Sequence, residues 1–402
     1  MKTKSNLFKF CLLGAVLLLP TAVQAQFTFT TNADNTLTLT GYTGTGGAVI
    51  IPDTTNGMTI TSIGVNAFYR KYSLTSVTIG NSVTNIGSTA FYHCTNLTNV
   101  TIGNSVTTIR ISTFYYCIKL ISVTIGNGVT SIEPGAFKSC SNLTNLTLGN
   151  SVTNIWNSAF QDCTSLKSLT IPNSVTSISI GTTAFSGCSS LKSVTDDMTT
   201  IGRELSSIYS LTHLIIGDHA TTVSSGAFDH FGSLVSLTIG NSVTSIGNSA
   251  FHYCSGLTSV TIGNSVTNIG SSAFQICSLL RGVYFRGNAP SLGSFVFTGD
   301  TNATVYYLPG TTGWDNWVSP PPAVLWNPQA QTGDGSFGVQ TNQFGFNITG
   351  TTNIPIVVEA CTNLANSGWM PLQTCKLTNG SIYFSDPQWT NYPGRFYRLR
   401  SP

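Results

Sequence analysis

The amino-acid sequence predicts a repeat solenoid, mostly β with short helical or 3-10 turns, followed by a small all-β domain. Three observations predict this fold. One phrase recurs along the chain, for example as LTSVTIGNSVTNIGSSAFQIC over residues 257–277. Its phenylalanine returns every 23 residues in two series, at Phe68, Phe91, Phe114, Phe137 and Phe160 and again at Phe228, Phe251, Phe274 and Phe297. A fixed period in the twenties is the signature of stacked repeats. From about residue 328 the period is lost, and short alternating strand patterns replace it.

The composition is that of a folded chain with a neutral polar surface. Charged residues make up only 8% of the 402 residues, against about 25% in typical soluble chains. Hydrophobic residues reach 41%, which excludes the composition of disordered chains. The net charge of +3 is small and scattered, whereas nucleic-acid binding needs clustered cations facing phosphates. We therefore expect no nucleic-acid partner.

Residues 1–25 have the pattern of a secretory signal peptide. Three lysines among the first nine residues precede an apolar run over 11–19. This run is shorter than the roughly 20 residues that a membrane-spanning helix needs. Small residues before Gln26 form a cleavage site, so we expect an exported chain that begins there and has no membrane span.

The cap and the repeats follow in order. Residues 26–60 alternate apolar side chains with threonine, and we expect these strands to cap the N-terminal end of the stack. The repeats occupy 61–297. Each repeat contains the pattern of a short strand, such as the one that begins at Leu74. We expect the strands of successive repeats to pair in a parallel sheet, about 4.8 Å apart. The Ile-Gly-Asn that ends it predicts a corner of positive φ. Phe91 and Cys94, three apart, are expected to point inward from a helical or 3-10 turn.

Two columns of side chains are expected to line the interior, because equal repeat lengths place like residues above one another. The predicted core phenylalanines are Phe91, Phe114, Phe137, Phe160, Phe251 and Phe274. The predicted core cysteines are Cys94, Cys117, Cys140, Cys163, Cys254 and Cys277. Coils near 5 Å apart would allow disulfides, but Phe231 fills the same slot and the spacing is unlike a zinc site. Buried structural thiols are the favoured interpretation.

The repeat resembles the BspA-type leucine-rich repeat of bacterial surface proteins, which has the form AFxxCxxLxxIxIPxxVxxIGxxAF. The resemblance covers roughly residues 60–300. It implies a leucine-rich-repeat solenoid and a secreted or surface-exposed protein. Several members of the family are adhesins for host matrix proteins or other cells, and the repeat carries no catalytic residue.

The sequence departs from this pattern over 172–220. Phe185 lies 25 residues after Phe160, and Phe228 follows only after a further 43, so one phenylalanine turn is missing. The window contains four acidic residues, Asp196, Asp197, Glu204 and Asp218. They could hold a cation, but they lack the spacing of a calcium loop, and a solvated irregular loop is the favoured interpretation.

Residues 298–327 are expected to form a C-terminal cap and a proline-rich linker, and residues 328–402 a small β-sandwich-like domain. Cys361 and Cys375 fall on consecutive predicted strands of this domain. In an exported chain such a pair predicts a cross-strand disulfide.

Two sets of exposed residues are candidates for partner binding. The first is a column of aromatic residues after the repeat phenylalanine, which could contact a sugar or a protein or simply shield the turn; its members are Tyr92, Tyr115, Tyr116 and Tyr253. The second set consists of residues that interrupt the columns of Thr, Ser and Asn expected on the exposed face of the strands. We expect specificity to enter at Lys167, Lys192 and His213.

The sequence predicts a secreted or cell-surface binding or adhesion scaffold without catalysis, which uses this face for an extracellular protein or glycan. A self-associating envelope or matrix protein is the alternative. An enzyme with its chemistry in the C-terminal domain is a weaker one, since that domain offers only the acids Asp334, Glu359 and Asp386 and no histidine. The dipeptides that end in His219 and His230 lack a nucleophile beside them. We expect no cofactor and no metal site, and the sequence does not indicate an oligomeric state.

Overall fold

The computed structural model describes residues 26–175, 180–181, 183–196, 198, 200–201, 205, 207–317, 320–365 and 368–401. The predicted signal peptide, Asp197 and Glu204 lie outside these residues. The predicted solenoid is confirmed: successive coils stack in parallel, and a small all-β region follows.

The longer strands of the coils form one side of the solenoid, here called the long-strand face. Its strands pair in parallel in two sheets. The first contains Gly47–Ile51, Leu74–Ile79, Asn99–Ile102, Ser122–Thr124 and Asn145–Thr147. The second contains Ser168–Ile171, Ser193–Asp196, His213–Ile216, Ser236–Ile239, Ser259–Ile262, Gly282–Phe285, Thr304–Tyr307 and Ala323–Leu325.

A second side consists mostly of two-residue strands. The first of its sheets starts with Phe27–Thr31, which is the edge strand and pairs antiparallel with Leu37–Tyr42. It continues with Thr54–Thr55, Met58–Ile63, Asn85–Ile86, Thr108–Ile109, Ser131–Ile132 and Asn154–Ile155. The second contains Thr200–Ile201, Thr222–Val223, Ser245–Ile246, Asn268–Ile269 and Ser291–Leu292.

The interior is a set of columns in register. The rings of Phe91 and Phe114 stack with centroids 5.0 Å apart and planes inclined by 8°. The same contact joins Phe137 to Phe160 at 5.2 Å and 2°. All six predicted core phenylalanines and all six predicted core cysteines are fully buried. Coil-to-coil packing therefore supplies the core that a single coil cannot build.

The phenylalanine turns are not helical, contrary to the detail of the prediction. They are chained turns in which, for example, the N–H of Cys94 donates to the carbonyl of Phe91 three residues earlier. Residues two before and two after the phenylalanine have positive φ, as at Thr89 (57°) and His93 (61°). This backbone cannot propagate a right-handed helix. Of the described residues, those in 3-10 helices with assigned bounds are Trp314–Asn316 and Trp389–Asn391.

The Gly-Asn corner also has a different cause from the one predicted. Gly103 and Gly126 do not adopt positive φ; a Cβ at Gly126 would instead lie 2.5 Å from the carbonyl oxygen of Gly103. The asparagine that follows the glycine forms a hydrogen bond with the next coil: the side-chain oxygen of Asn104 accepts the N–H of Asn127 at 2.8 Å. Glycine therefore allows close stacking, and asparagine satisfies a backbone donor at each corner.

The long-strand face is interrupted between Asn145–Thr147 and Ser168–Ile171, which do not pair in a ladder. Pro172 occupies the glycine column at this point, and its ring carries a Cβ where earlier coils approach most closely. Proline also lacks a backbone N–H. The stack of rings nevertheless continues, since Phe160 and Phe185 lie 5.5 Å apart.

The turn predicted to be missing after Phe185 is present in altered form. The buried residues Leu205, Ile208 and Leu211 occupy the spacing that Phe185, Cys188 and Leu191 occupy in the preceding coil. A shorter coil without phenylalanine thus keeps the apolar column filled.

The C-terminal region packs against the end of the solenoid. After the prolines, Ala323–Leu325 adds to the long-strand sheet beside Thr304–Tyr307. One small sheet then contains Gln329–Ala330, Gly338–Gln340, Gln343–Thr349 and Ser381–Asp386, and another contains Pro355–Cys361, Met370–Lys376 and Phe396–Arg400. Tyr284 and Tyr306 replace the outward threonines of earlier coils and lie in one apolar cluster with Phe346, Ile356 and Phe384 of this region.

The predicted disulfide between Cys361 and Cys375 is wrong, because both residues are free thiols. Their strands do pair, but in a register that places Cys375 opposite Ile356. Cys361 lies five residues further along, at about 3.4 Å per residue, which is beyond the reach of a disulfide.

Candidate functional site

The exposed side of the long-strand face carries ladders of hydroxyl and amide groups. The hydroxyl of Thr98 donates to the carbonyl of Thr75 at 2.8 Å, and that of Thr258 donates to the carbonyl of Val235 at 3.0 Å. These side chains therefore bind the preceding coil and stiffen a flat surface. A second threonine column, including Thr78, Thr101 and Thr124, is exposed beside them.

The structure brings Lys167, Lys192 and His213 together on three consecutive coils. The N–H of Lys192 donates to the carbonyl of Lys167 at 3.0 Å, and the N–H of His213 donates to the carbonyl of Lys192 at 2.8 Å. All three side chains are exposed. Two apolar residues lie on the same surface in columns that are otherwise mostly threonine. Ile215 is 43% exposed and lies opposite Thr238, and Val235 is 39% exposed and lies between Thr212 and Thr258. We call Lys167, Lys192, His213, Ile215 and Val235 the central patch.

The central patch lies directly after the interruption of the sheet. Thr98, Ile121 and Thr144 are linked down their column by backbone hydrogen bonds. The strand containing Thr144's neighbour Asn145 does not pair with the strand that follows Lys167. Two adjacent lysines therefore lie next to the point where pairing of the long strands is interrupted.

The predicted aromatic column forms along the edge made by the phenylalanine turns. Tyr92 and Tyr115 stack at 5.0 Å with planes inclined by 3°, and Tyr116 stacks on His93 at 4.5 Å. Tyr253 lies at the same edge further along, 4.9 Å from the ring of His230. The rings mostly cover one another, although Tyr116 and Tyr253 remain 39% and 41% exposed.

The turn edge also contains a grouping that sequence reasoning missed. Asp229, His230 and His252 come from two consecutive coils, and their ligand atoms all lie within 4.8 Å of one another. The period could have indicated it, because Asp229 and His252 are 23 residues apart and hence share a column. A dipeptide considered by itself does not show a ligand that lies one coil away.

The two acidic residues of the 172–220 window that the structure describes do not act as one group. Asp196 is fully buried and occupies the column of Ile171 and Ile216. Asp218 instead lies at an exposed corner, where it accepts the N–H of Asn241 at 2.6 Å. The two residues therefore have separate structural positions.

The three acids of the C-terminal region are held in local interactions. Arg400 and Arg398 contact Glu359 at 2.5 and 2.8 Å. Burial alone would raise the pKa of Glu359, but these hydrogen bonds hold it below its ordinary value. Arg395 and Tyr397 both bond Asp386, and the side chains of Ser336 and Asn347 bond Asp334. Each carboxylate thus serves to join strands or a turn.

Among the described ranges, no helix combines the length and the apolar character that crossing a membrane requires.

The comparison with protein-family models agrees with the architecture. The family described as BspA type leucine rich repeat region matches in six copies, over residues 61–192 and 199–313, which together exceed half of the chain. None of the curated proteins compared matches the chain.

Solved structures give further matches, each of modest structural similarity. A leucine-rich cell surface protein from Faecalibacterium prausnitzii is 30% identical, covering 71% of this chain and 88% of its own, with a TM-score of 0.36. A leucine-rich repeat protein from Bacteroides ovatus is 23% identical, covering 75% and 98%, with a TM-score of 0.33. The T. pallidum leucine rich repeat protein is 22% identical, covering 69% and 88%, with a TM-score of 0.25.

The six matched copies cover the coils whose phenylalanine and cysteine columns build the solenoid, and the chain therefore belongs to the BspA-type leucine-rich repeat family.

Proposed function

We propose that this protein is a secreted or cell-surface scaffold that binds an extracellular protein or glycan without catalysing a reaction. The observation that carries the proposal is the central patch on the long-strand face. Flat, repetitive surfaces suit many weak contacts rather than one enclosed ligand. Family membership supports a surface location, and the engaged carboxylates of the C-terminal region support the absence of catalysis.

The central patch favours a partner that carries negative charge. Lys167 and Lys192 follow one another in a column one coil apart, so their ammonium groups can engage the same anionic group or adjacent ones. Ile215 and Val235 add apolar area beside these cations. Acidic protein segments and sulfated or sialylated glycans combine both features.

The purified chain can be tested by surface plasmon resonance against matrix proteins, mucins and an array of acidic glycans. For any ligand that binds saturably, the double variant K167E/K192E should weaken binding at least tenfold. The matched control is K119E/K138E, which makes the same change of charge on the turn side of the solenoid. Equal binding by the two double variants would contradict the role of the patch, and saturable binding to none of the ligands would contradict the scaffold itself.

Export is tested separately by mass spectrometry of the N-terminus of the protein recovered outside the cell. We expect the chain to begin at Gln26. Recovery only in the cell, with residues 1–25 still attached, would contradict the proposed location.

Self-association, the alternative, is tested by light scattering of the same preparation. A monomer at high concentration agrees with binding to a different molecule. Assembly that K167E/K192E abolishes would identify a second copy of this chain as the partner.

A further inference from the structure

The phenylalanine turns of two consecutive coils bring three potential metal ligands together. The rings of Phe228 and Phe251 stack at 5.3 Å, and the N–H of His230 donates to the carbonyl of His252 at 2.8 Å. These contacts fix one turn directly beneath the next. Asp229 and His252 consequently face each other in one column, and His230 lies beside Asp229 in the chain.

The two imidazoles converge on a single carboxylate oxygen. Nδ1 of His230 lies 2.8 Å from Oδ1 of Asp229, and Nδ1 of His252 lies 2.9 Å from the same atom. In a tetrahedral site with bonds of 2.0–2.1 Å, two ligand atoms are about 3.3 Å apart. Each histidine nitrogen therefore needs to move only about 0.5 Å away from the carboxylate oxygen to admit an ion. All three ligand atoms lie within 4.8 Å of one another.

Backbone conformation and ring stacking hold His230 in place. Its φ of 65° is in the left-handed region, as it is at the same position of the next coil, Tyr253 (54°). Tyr253 stacks on its ring at 4.9 Å with planes inclined by 5°. Such support from neighbouring groups restricts the orientation of a ligand before a metal arrives.

The three side chains are accessible to an ion from solvent. The side chain of His252 is 23% exposed and that of Asp229 is 32% exposed, while His230 is 65% exposed. Two ligands are thus partly sheltered and the third faces solvent. Water can complete the coordination on that side.

We propose that Asp229, His230 and His252 form a binding site for one divalent transition-metal ion, with Zn²⁺ as the expected occupant. Two imidazole nitrogens and one carboxylate oxygen suit zinc and its neighbours, whereas Ca²⁺ and Mg²⁺ prefer sites made wholly of oxygen. For a neutral imidazole to ligate through Nδ1, the proton on that nitrogen leaves and Nε2 takes one up from water. The change needs no other reactant.

The test is a calorimetric titration of ZnCl₂ into the purified chain and its variants. We expect one ion per chain, and at least tenfold weaker binding in H252Q and in D229N. The matched control is H213Q, which removes an exposed histidine from the long-strand face and should leave the affinity unchanged. CaCl₂ at the same concentrations should give no saturable heat.

A second measurement keeps the proposal testable if a variant folds poorly. In NMR spectra of the unaltered chain, Zn²⁺ should shift the ring signals of His230 and His252 while those of His213 stay in place. Absence of saturable Zn²⁺ binding, an affinity of H252Q equal to that of H213Q, or shifts confined to other histidines would overturn the proposal.

Discussion

The thiol of Cys140 donates a hydrogen bond to the carbonyl oxygen of Phe114, 3.2 Å away and one coil earlier. The same bond recurs along the column, for example from Cys117 to Phe91 at 3.3 Å and from Cys277 to Phe251 at 3.3 Å. The cysteine is therefore more than a small filler of the slot. It supplies a second donor to a buried carbonyl that already accepts the backbone N–H three residues later, as Phe114 accepts that of Cys117 at 3.4 Å.

Replacing this thiol should destabilise the solenoid. We expect Cys140→Ala to lower the free energy of unfolding by about 1–2 kcal/mol, through loss of the hydrogen bond and a small cavity. Urea denaturation followed by circular dichroism measures the change. The control is Cys375→Ala in the C-terminal region, where the side chain is only half-buried and the loss should stay below about 0.5 kcal/mol. Equal losses at both positions would contradict a special role of the column.

The column thiols should resist alkylation while the protein is folded. Burial raises the pKa of Cys140 to about 12, and that of Cys94 also to about 12. At pH 8 the reactive thiolate is then roughly one part in ten thousand. Iodoacetamide followed by peptide mass spectrometry should label Cys375 before either column residue, and all three in urea. Rapid labelling of Cys140 in the native protein would contradict this assignment.

Asp300 should make stability depend on pH. It occupies the cysteine slot of the last repeat, and burial raises its pKa to about 7, although the backbone of Cys277 opposes this shift. In the unfolded chain an aspartate titrates near 3.9. Between these two pKa values the carboxyl of Asp300 is protonated in the folded state and ionised in the unfolded state. Its contribution to stability is therefore complete below about pH 4 and is lost as the pH rises to about 7.

The variant Asp300→Asn should therefore be more stable than the original chain at pH 8, by on the order of 2 kcal/mol, and similar to it at pH 4. Thermal melting across this range measures the difference. Asp315→Asn, at an exposed position, is the control and should follow the original profile. A constant difference between Asp300→Asn and the original chain at both pH values would show that titration is not the cause.

The 23-residue period predicted the core because coils of equal length place equivalent residues directly above one another. Phe91, Phe114 and Phe137 could be placed in register from their spacing alone. The coil containing Leu205 could not, since leucine fills the slot equally well and removes the marker by which coils are counted. The disulfide failed for a related reason: the strands were recognised, but their register depends on pairing that no local pattern records.

The candidate sites show the same limit. Lys167 and Lys192 could be seen as breaks in a ladder, and stacking then makes them neighbours. The contact of Asp229 with His252 also follows from the period. The contact of the His230 side chain with Asp229 does not, because no glycine marks the left-handed backbone conformation of this turn in the sequence.

The glycine column sets the closest approach of the coils, and this gives a last prediction. A Cβ at Gly126 would lie 2.5 Å from the carbonyl oxygen of Gly103, which is backbone and cannot rotate away. We expect Gly126→Ala to lower the free energy of unfolding by about 1–3 kcal/mol, because the two coils must separate locally. Urea denaturation measures this change.

Gly232→Ala is the matched control, since its Cβ would meet only the hydroxyl of Ser255, at 3.3 Å. A serine side chain can rotate, and alanine also restricts the unfolded chain, so this variant should be unchanged or more stable by up to about 1 kcal/mol. If Gly126→Ala behaved like Gly232→Ala, close backbone approach would not be the reason for glycine at the corner. The explanation of the interrupted sheet by Pro172 would then fail as well, because both rest on the small space beside the carbonyl oxygen of the glycine one coil earlier.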